Sequence, residues 1–238
     1  MLYLTKWYTI PSRENYDKIN PCDMNKTNYQ KELEKIIASL QEPKKVFLHS
    51  CCAPCSSYCM EYLRQHFEVT VFYYNPNIMD EDEYRKRVAE QQRLIDAYNL
   101  LEEAVVTKGT TKESIRLHKI AFAEGKYDVD NYLQTIKGLE DAPEGGSRCG
   151  RCFELRLRES ARVGKELGMD YFTTTLTISP LKNAQLINEI GNRIGEEKGI
   201  AFLPSDFKKN NGYLRSIELS KEYDLYRQNY CGCDFSKQ

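Results

Sequence analysis

The sequence lacks three features, and each absence excludes a class of protein. No stretch approaches the roughly 20 apolar residues that a membrane helix needs, so we expect no membrane span. The first residues, MLYLTKWYTIPSRENYD, hold no basic segment followed by an apolar core, so we expect no secretory signal and a cytoplasmic protein. Neither charge is in excess, with 34 Lys and Arg against 35 Asp and Glu. This balance excludes a uniformly basic nucleic-acid binder but permits a local basic patch.

Cysteine, by contrast, is abundant, with nine residues in a chain of 238. A chain of this length can bury a full core without disulfide staples. Thiols in the cytoplasm stay reduced, so the cysteines indicate metal ligands or redox groups. Because nine is an odd number, at least one cysteine lies outside any pairing.

Apolar periodicity divides the chain into an N-terminal extension and one α/β domain. Residues 1–45 form the extension, with one predicted helix that Asn28 caps and whose apolar stripe comprises Leu33, Ile36, Ile37 and Leu40. Residues 46–238 form a single catalytic domain that ends in a C-x-C tail. We predict strands at 46–49, 69–74, 103–107, 171–178 and 200–203, helices at 56–66, 80–98, 112–124, 152–167, 181–198 and 216–223, and irregular structure at 125–148.

Strands that alternate with helices predict βαβ units and an α/β fold with a parallel sheet flanked by helices on both faces. Ligand sites in such sheets lie beyond the carboxyl ends of the strands. The first cysteine cluster directly follows the strand predicted at 46–49, and residues 173–180 lie at the same edge. We therefore expect a cysteine-rich metal site at this edge of the sheet.

Two C-x-x-C pairs, Cys52/Cys55 and Cys149/Cys152, come from distant segments, and Cys51 precedes the first pair. A tight turn can aim both sulfurs of such a pair at one metal, and thiolates bind either zinc or an iron–sulfur cluster. Metal binding is favoured over a coincidental set of buried thiols. Five thiolates are one more than a single cluster needs, which invites a second metal site beside the first.

The third group, Cys231-Gly232-Cys233, favours redox function over structural metal ligation. Cysteines this close in sequence can form a strained disulfide, and strained disulfides are typically catalytic or regulatory. Zinc alone does not account for a redox-competent C-x-C beside a metal site, so iron is favoured. Cys22 stands alone, and Cys59 lies on the inner face of a predicted helix, where a free cysteine packs as a small hydrophobe.

Six motifs occur in the order LHSCCAPCSSY, YNPNI with EYRKR, SRCGRCFELRLRESA, TTTLTISPLKN, DFKKNNGYLRS and LYRQNYCGCDFS. Together they make residues 46–236 resemble the epoxyqueuosine reductase QueH family. The resemblance implies a HUP-type, Rossmann-like domain that reduces epoxyqueuosine to queuosine without cobalamin. Its substrate is the wobble position of tRNAs with GUN anticodons (those for Asp, Asn, His and Tyr), and an unidentified donor supplies the electrons.

The resemblance also implies roles for individual cysteines. A [4Fe–4S] cluster is bound by Cys51, Cys52, Cys149 and Cys152, and the redox-active disulfide pair is Cys231 and Cys233. Cys55 stands where some members have Asp, a position associated with an additional mononuclear iron. The glycines and the Asp of a nucleotide-binding loop are missing after the first strand, which disfavours ATP-dependent adenylation.

RNA loops are bound through phosphate contacts and aromatic stacking, and the C-terminal tail carries both kinds of side chain. We expect tRNA contacts from Lys208, Lys209, Arg215 and Arg227, which are interleaved with Phe207, Tyr213, Tyr226 and Tyr230. Four arginines flank the second cysteine pair, namely Arg148, Arg151, Arg156 and Arg158. Candidate proton donors are Asp206, Tyr213 and Tyr230. His49 is expected to support the cysteine loop, and His66 and His118 to be ordinary helix residues.

Two other functions stay open on the residues alone. One is a zinc-stabilised RNA-binding module without catalysis, and the other is a thiol oxidoreductase that acts on proteins. The second lacks the W-C-x-x-C context of thioredoxin-like sites. Iron and sulfide content distinguishes the first from a reductase.

Overall fold

Stretches rich in β-branched and aromatic residues form a five-stranded parallel sheet in the computed structural model, which describes residues 27–101, 103–108 and 111–236. The strands are β1 (Lys44–Ser50), β2 (Phe67–Tyr73), β5 (Ala121–Glu124), β6 (Tyr171–Thr174) and β7 (Ala201–Phe202). They lie in the order β5-β2-β1-β6-β7, and every pair is parallel. Counted along the chain within this sheet, the order is that of the Rossmann fold, with a reversal between β1 and β6.

Helices cover both faces of the sheet, as the alternation of elements predicts. They are α1 (Tyr29–Ser39), α2 (Ala53–Leu63), α3 (Glu81–Asn99), α4 (Val129–Thr135), α5 (Ser147–Glu166), α6 (Ala184–Lys198) and α7 (Gly212–Glu222). Successive side chains of a strand point to opposite faces. Val46 and Leu48 of β1 accordingly pack in one core with α1, α2 and α3, whereas Phe47 packs in another with α5 and α6.

Helix α1 belongs structurally to the first of these cores. Asn28 caps it as predicted, with its side chain accepting from the Lys31 N–H, and Leu33 is fully buried beside Val46. The proposed boundary at residue 45 stays a prediction. Cys22 and the rest of residues 1–26 lie outside the described residues.

The helix predicted at 112–124 is wrong. That segment contains β4 (Thr111–Arg116) and β5 instead. The backbone of β5 pairs with the free edge of β2 from Ala121↔Thr70 onward, and this tertiary pairing overrides local helix propensity. β3 (Glu103–Lys108) is a strand as predicted, but it pairs antiparallel with β4 in a separate two-stranded sheet.

The structure also differs from the prediction at α2, which spans Ala53–Leu63 rather than 56–66, at α4, at the start of α5 and at the end of β6. Helix α4 lies in the segment predicted to be irregular, with Asp128 as its N-cap and Tyr132 and Ile136 buried one turn apart. Helix α5 begins at Ser147 rather than 152, so Cys149 and Cys152 both lie in its first two turns. The strand predicted at 171–178 ends at Thr174 and continues as a 3₁₀ turn, Thr175–Ile178.

None of the helices in the part of the chain that the structure describes combines the length and the apolar character needed to cross a membrane.

Helix α6 approaches the sheet so closely that one of its glycines leaves no space for a side chain. A Cβ at Gly195 would lie 2.8 Å from the Ile200 carbonyl oxygen, whereas at Gly150 of α5 the nearest atom is 3.9 Å away. We expect Gly195→Ala to lower the free energy of unfolding by about 1–3 kcal/mol, as overpacking does. Gly150→Ala, the control, is expected to leave it unchanged or raise it by up to about 1 kcal/mol. Equal urea-unfolding curves for the two variants of the metal-free protein would contradict this packing argument.

Candidate metal and redox site

The reversal of strand order between β1 and β6 opens a crevice at the carboxyl ends of these strands, where ligands bind in α/β folds. Cys51 follows β1 and Thr175 follows β6 at this point. The Thr175 hydroxyl accepts from the Cys51 N–H at 3.2 Å and donates to the Cys51 Sγ at 3.4 Å. Thr175 thus fixes Cys51 at the strand reversal through both its backbone N–H and its Sγ.

Three cysteine sulfurs form a compact triad at the start of α2. Cys52 is the N-cap of the helix and Cys55 lies in its first turn. The Sγ atoms of Cys51, Cys52 and Cys55 all lie within 4.8 Å of one another, and those of Cys51 and Cys52 are 3.9 Å apart. Thiolates at this spacing suit a soft metal such as zinc or iron. The triad can therefore bind a metal ion or contribute ligands to a cluster.

Hydrogen bonding selects Cys51 as the thiolate of the metal-free triad. The thiols of Cys52 and Cys55 donate to the Cys51 Sγ and lower the pKa of Cys51 well below its usual range, against the effect of burial. The positive charge of Lys182 and the Thr175 hydroxyl act in the same direction. The triad therefore favours negative charge at the Cys51 sulfur, whereas the pKa values of Cys52 and Cys55 are raised.

The second C-x-x-C pair lies at the start of α5, but it is not part of this triad. The Cys149 Sγ accepts from the Gly145 N–H at 3.3 Å. Cys152 is buried and packs with Tyr132, Ile136 and Cys233. Burial, which penalises the charged form, raises the pKa of Cys152 to about 11.

The C-x-C tail is fixed against the same end of the sheet through its backbone. The Cys231 carbonyl accepts from the Asn77 side chain at 3.2 Å and from the Arg87 guanidinium at 3.3 Å. Gly232 has φ +106°, and a Cβ there would lie 2.5 Å from the Ile78 side chain. Only glycine meets both conditions, so the C-G-C spacing follows from the path of the backbone.

Both tail cysteines are free thiols with different surroundings. The Cys231 Sγ lies 3.1 Å from the Ser236 hydroxyl, and the Cys233 Sγ accepts from the Tyr132 hydroxyl at 3.0 Å. Hydrogen bonds from Cys233 and Ser236 lower the pKa of Cys231 to about 5, whereas the pKa of Cys233 is raised, chiefly by its hydrogen bond to Cys231. Cys231 is thus the thiolate of the pair and Cys233 its buried proton donor.

Two buried hydrogen-bond donors near the cysteines indicate whether an anionic metal group fits the site. The Arg156 Nε and the Tyr73 hydroxyl have no hydrogen-bond partner among the described residues. Both groups interact electrostatically with the Cys51 thiol. Buried donors are normally satisfied, and a thiolate-bound cluster offers sulfur acceptors. The all-thiol donor set and the two donors therefore fit an iron–sulfur group.

His49 is a structural residue beside the cysteine loop. Its Nε2 donates to the Tyr74 carbonyl at 3.1 Å, which leaves Nδ1 to accept from the Thr174 hydroxyl at 2.9 Å. Burial lowers the pKa of His49 to about 3, so the imidazole is neutral. It ties β1 to β2 and β6 at the edge that carries the cysteines.

The predicted tRNA-contacting residues differ in whether their charges are paired with carboxylates. Lys208 pairs with Asp206 at 2.7 Å, and Arg215 pairs with Glu61, also at 2.7 Å. Arg227 is exposed and donates to the Ser220 hydroxyl at 3.1 Å, and Lys209 is exposed.

Two of the four arginines that flank the second cysteine pair are buried. Arg148 and Arg156 are each only 3% exposed, so they are not part of a surface basic patch. Of the candidate proton donors, Asp206 is engaged by Lys208, and the Tyr230 ring packs against the Arg87 guanidinium at 5.1 Å.

Sequence reasoning missed several residues that shape the site. Tyr132 was missed because its helix α4 was not predicted. Asn77 and Lys182 occur in the motifs YNPNI and TTTLTISPLKN, but neither was given a role. Arg87 lies on α3, and its i, i+4 spacing from Glu83 is typical of an ordinary surface ion pair. The Arg87 side chain is nevertheless buried. Cys59 is fully buried in the core, as expected for a packing residue.

We expect Cys55→Ala to weaken metal binding at least about tenfold, because even the loss of a supporting residue costs about 10–100-fold. The matched control is Cys59→Ala, which removes a thiol from the same helix but outside the triad. Metal content after anaerobic equilibration at limiting metal checks this. Equal loss in both variants would contradict the assignment of the triad.

The low pKa of Cys231 predicts an unusual pH profile of alkylation in the reduced, metal-free protein. With a pKa of about 5, Cys231 is ionised throughout pH 6–8, so its rate with iodoacetamide is nearly constant there. An ordinary thiol, with a pKa of about 8.5, accelerates about tenfold per pH unit over that range. Cys233→Ala removes the main donor and should restore the steep profile. Peptide mass spectrometry measures the rate at Cys231, and a steep rise in the unmodified chain would contradict the assignment.

Comparison with known proteins places this site in a family. The profile of the family described as "Epoxyqueuosine reductase QueH" matches residues 46–238. A protein of that name from Streptococcus pyogenes serotype M1 is 42% identical over 231 residues, which cover 95% of this chain and 84% of that protein. The one from Staphylococcus epidermidis is 42% identical over 216 residues, which cover 89% of this chain and 85% of that protein. The one from Thermotoga maritima is 33% identical over 191 residues, which cover 80% of this chain and 89% of that protein. The predicted resemblance is confirmed, and the chain belongs to the QueH family of epoxyqueuosine reductases.

Proposed function

We propose that this protein reduces epoxyqueuosine to queuosine at the wobble position of tRNAs with GUN anticodons, without cobalamin. The observation that carries the proposal is the convergence of three cysteine groups at one end of the sheet. Cys51 lies at the β1–β6 crevice within the triad, and Cys152 packs with Cys231 and Cys233 in one cluster. Membership of a family of epoxyqueuosine reductases supplies the reaction.

We further propose that a [4Fe–4S] cluster is bound by Cys51, Cys52, Cys149 and Cys152, with Cys55 binding an additional iron. When bound, such a group would supply electrons singly and a Lewis acid for the epoxide oxygen. The fit of the all-thiol donor set supports this assignment, as do the unsatisfied donors at Arg156 and Tyr73. The short distances from Cys55 to both Cys51 and Cys52 support a second metal beside the first.

The tail cysteines supply a balanced source of reducing equivalents. Conversion of an epoxide to an alkene consumes two electrons and two protons and releases water. Oxidation of the Cys231 thiolate and the Cys233 thiol to a disulfide releases two electrons and one proton, and solvent supplies the second proton. The Cys233 thiol holds the one proton in its hydrogen bond to Cys231, and the Tyr132 hydroxyl donates to Cys233. An external electron donor must then reduce the disulfide for the next turnover.

The tRNA is proposed to approach the face of the protein that carries the tail. Lys209 and Arg227 are exposed and available to phosphates, whereas Arg215 is compensated by Glu61. Lys208, Arg215 and the neighbouring aromatic residues remain candidate contacts. A confined contact surface agrees with a chain whose net charge is only −1.

One observation favours a second function. Three sulfurs within 4.8 Å also suit a single zinc ion, and a zinc-stabilised RNA-binding module would need nothing more. Anaerobic purification separates the two: iron and sulfide support the reductase, and a colourless zinc protein contradicts it. A thiol oxidoreductase acting on proteins would need no tRNA for activity.

Nucleoside analysis of tRNA from a deletion strain tests the function. We expect epoxyqueuosine to accumulate in the deletion strain and queuosine to return with the unmodified gene. Cys231→Ser should fail to restore queuosine, because it removes one of the two thiols, whereas Cys59→Ala should restore it. Queuosine at the normal level in the deletion strain, where no other reductase is encoded, would contradict the proposed reaction. Full restoration by Cys231→Ser would remove the dithiol from the mechanism.

A further inference from the structure

One buried cation, Arg156, faces cysteine sulfurs and no carboxylate of the described residues. Arg156 is 3% exposed, and no carboxylate among the described residues lies within ion-pair distance of it. Its guanidinium makes one hydrogen bond, from Nη1 to the Asn75 Oδ1 at 3.0 Å, and its Nε has no partner in the described part of the chain. A buried charge in this state is costly and is normally paired.

The other buried arginines show how this chain ordinarily satisfies such a group. Arg87 pairs with Glu83 at 2.7 Å. Arg64 donates to three backbone carbonyls at 2.6–3.1 Å. Arg148 donates to three backbone carbonyls and packs against the Phe235 ring, although its Nε also has no partner among the described residues. Arg156 alone among these four has a single hydrogen bond to a neutral amide.

Helix geometry aims Arg156 toward the cysteines. Cys149, Cys152 and Arg156 are spaced i, i+3 and i+7 on α5, so they share one face of the helix. The one partner of Arg156, Asn75, donates in turn to the Ser50 carbonyl at 2.8 Å, immediately before Cys51. The guanidinium is therefore tied to both segments that carry the proposed cluster ligands.

We propose that Arg156 is the buried counter-charge of the iron–sulfur cluster and raises its reduction potential. This inference rests on the proposed cofactor. A cluster held by thiolates is anionic, and its reduction adds a further negative charge. A fixed cation close to it in a low-dielectric surrounding stabilises the reduced form more than the oxidised form. Arg156 acts through the cluster and is thus a positioning residue that need not touch the substrate.

The test compares three variants of the full chain, purified anaerobically with their cluster. Arg156→Met removes the charge and keeps much of the apolar volume, and Arg156→Lys keeps the charge. Arg162→Met is the matched control, because it removes an arginine from the exposed face of the same helix, where Glu159 and Glu166 pair with it. Iron and sulfide content, circular dichroism and a redox titration followed by electron paramagnetic resonance are measured for each.

We expect Arg156→Met to lower the equilibrium constant for one-electron reduction at least about tenfold, which is a midpoint potential about 59 mV more negative. Arg156→Lys should lie close to the unmodified protein, and Arg162→Met should match it. A purely structural role for Arg156 would alter stability or loading but leave the potential of the loaded cluster unchanged.

Equal potentials in the loaded unmodified protein and Arg156→Met would overturn the inference while leaving the proposed function intact. If folded Arg156→Met fails to retain iron and sulfide, retention by Arg156→Lys supports the counter-charge, and failure of both variants overturns it. Absence of iron and sulfide from the unmodified protein would instead contradict the cofactor itself.

Discussion

The parallel pairing of β1 with both β2 and β6 is the constraint on which the rest of the site depends. It places a crevice where the strand order reverses, and Cys51 enters that crevice directly from β1. His49, neutral and buried, ties β1 to the Tyr74 carbonyl and the Thr174 hydroxyl. Because both contacts flank the cysteine loop, the sheet itself fixes the position of the first cysteine segment.

The C-terminal tail reaches this crevice because α3 binds it along one helix face. Glu83 accepts from the Tyr226 hydroxyl at 3.0 Å, Glu90 accepts from the Tyr226 N–H, and Arg87 binds the Cys231 carbonyl. These three helix residues are spaced by about one turn. Much of the polar and aromatic character of the tail is thus used to hold the C-x-C segment, which leaves a smaller set of exposed cations for RNA. The number of charged residues in the tail sequence is therefore larger than the number of free charges at its surface.

Much of this architecture follows from local sequence patterns, and the exceptions have physical causes. Strand and helix alternation predicted the parallel sheet and the edge that carries the cysteines, because side-chain periodicity reports burial. The helix prediction at 112–124 was wrong because β5 is a strand only through its pairing with the free edge of β2. Pairing between distant segments leaves no local signal in the sequence. Tyr132 had no assigned role for the same reason, because its contact with Cys233 crosses the chain and leaves no local signal. The spacing of Arg156 from Cys149 and Cys152 places it on their helix face, but its burial near Cys51 is visible only in the structure.

Helix α5 carries two of the proposed cluster ligands and the proposed counter-charge in a single element. Its start at Ser147 brings Cys149 and Cys152 into the first two turns, and the same face carries Arg156 into the interior one turn later. Thiolate ligands favour the positive end of a helix dipole, and a buried guanidinium beside them offsets negative charge further. A rotation or shift of α5 would therefore move the two proposed ligands and the proposed counter-cation together. Phe153 and Leu157 pack in the core that contains Phe47, and this packing opposes such a motion. The same core therefore also fixes the position of the Arg156 charge relative to the cysteines.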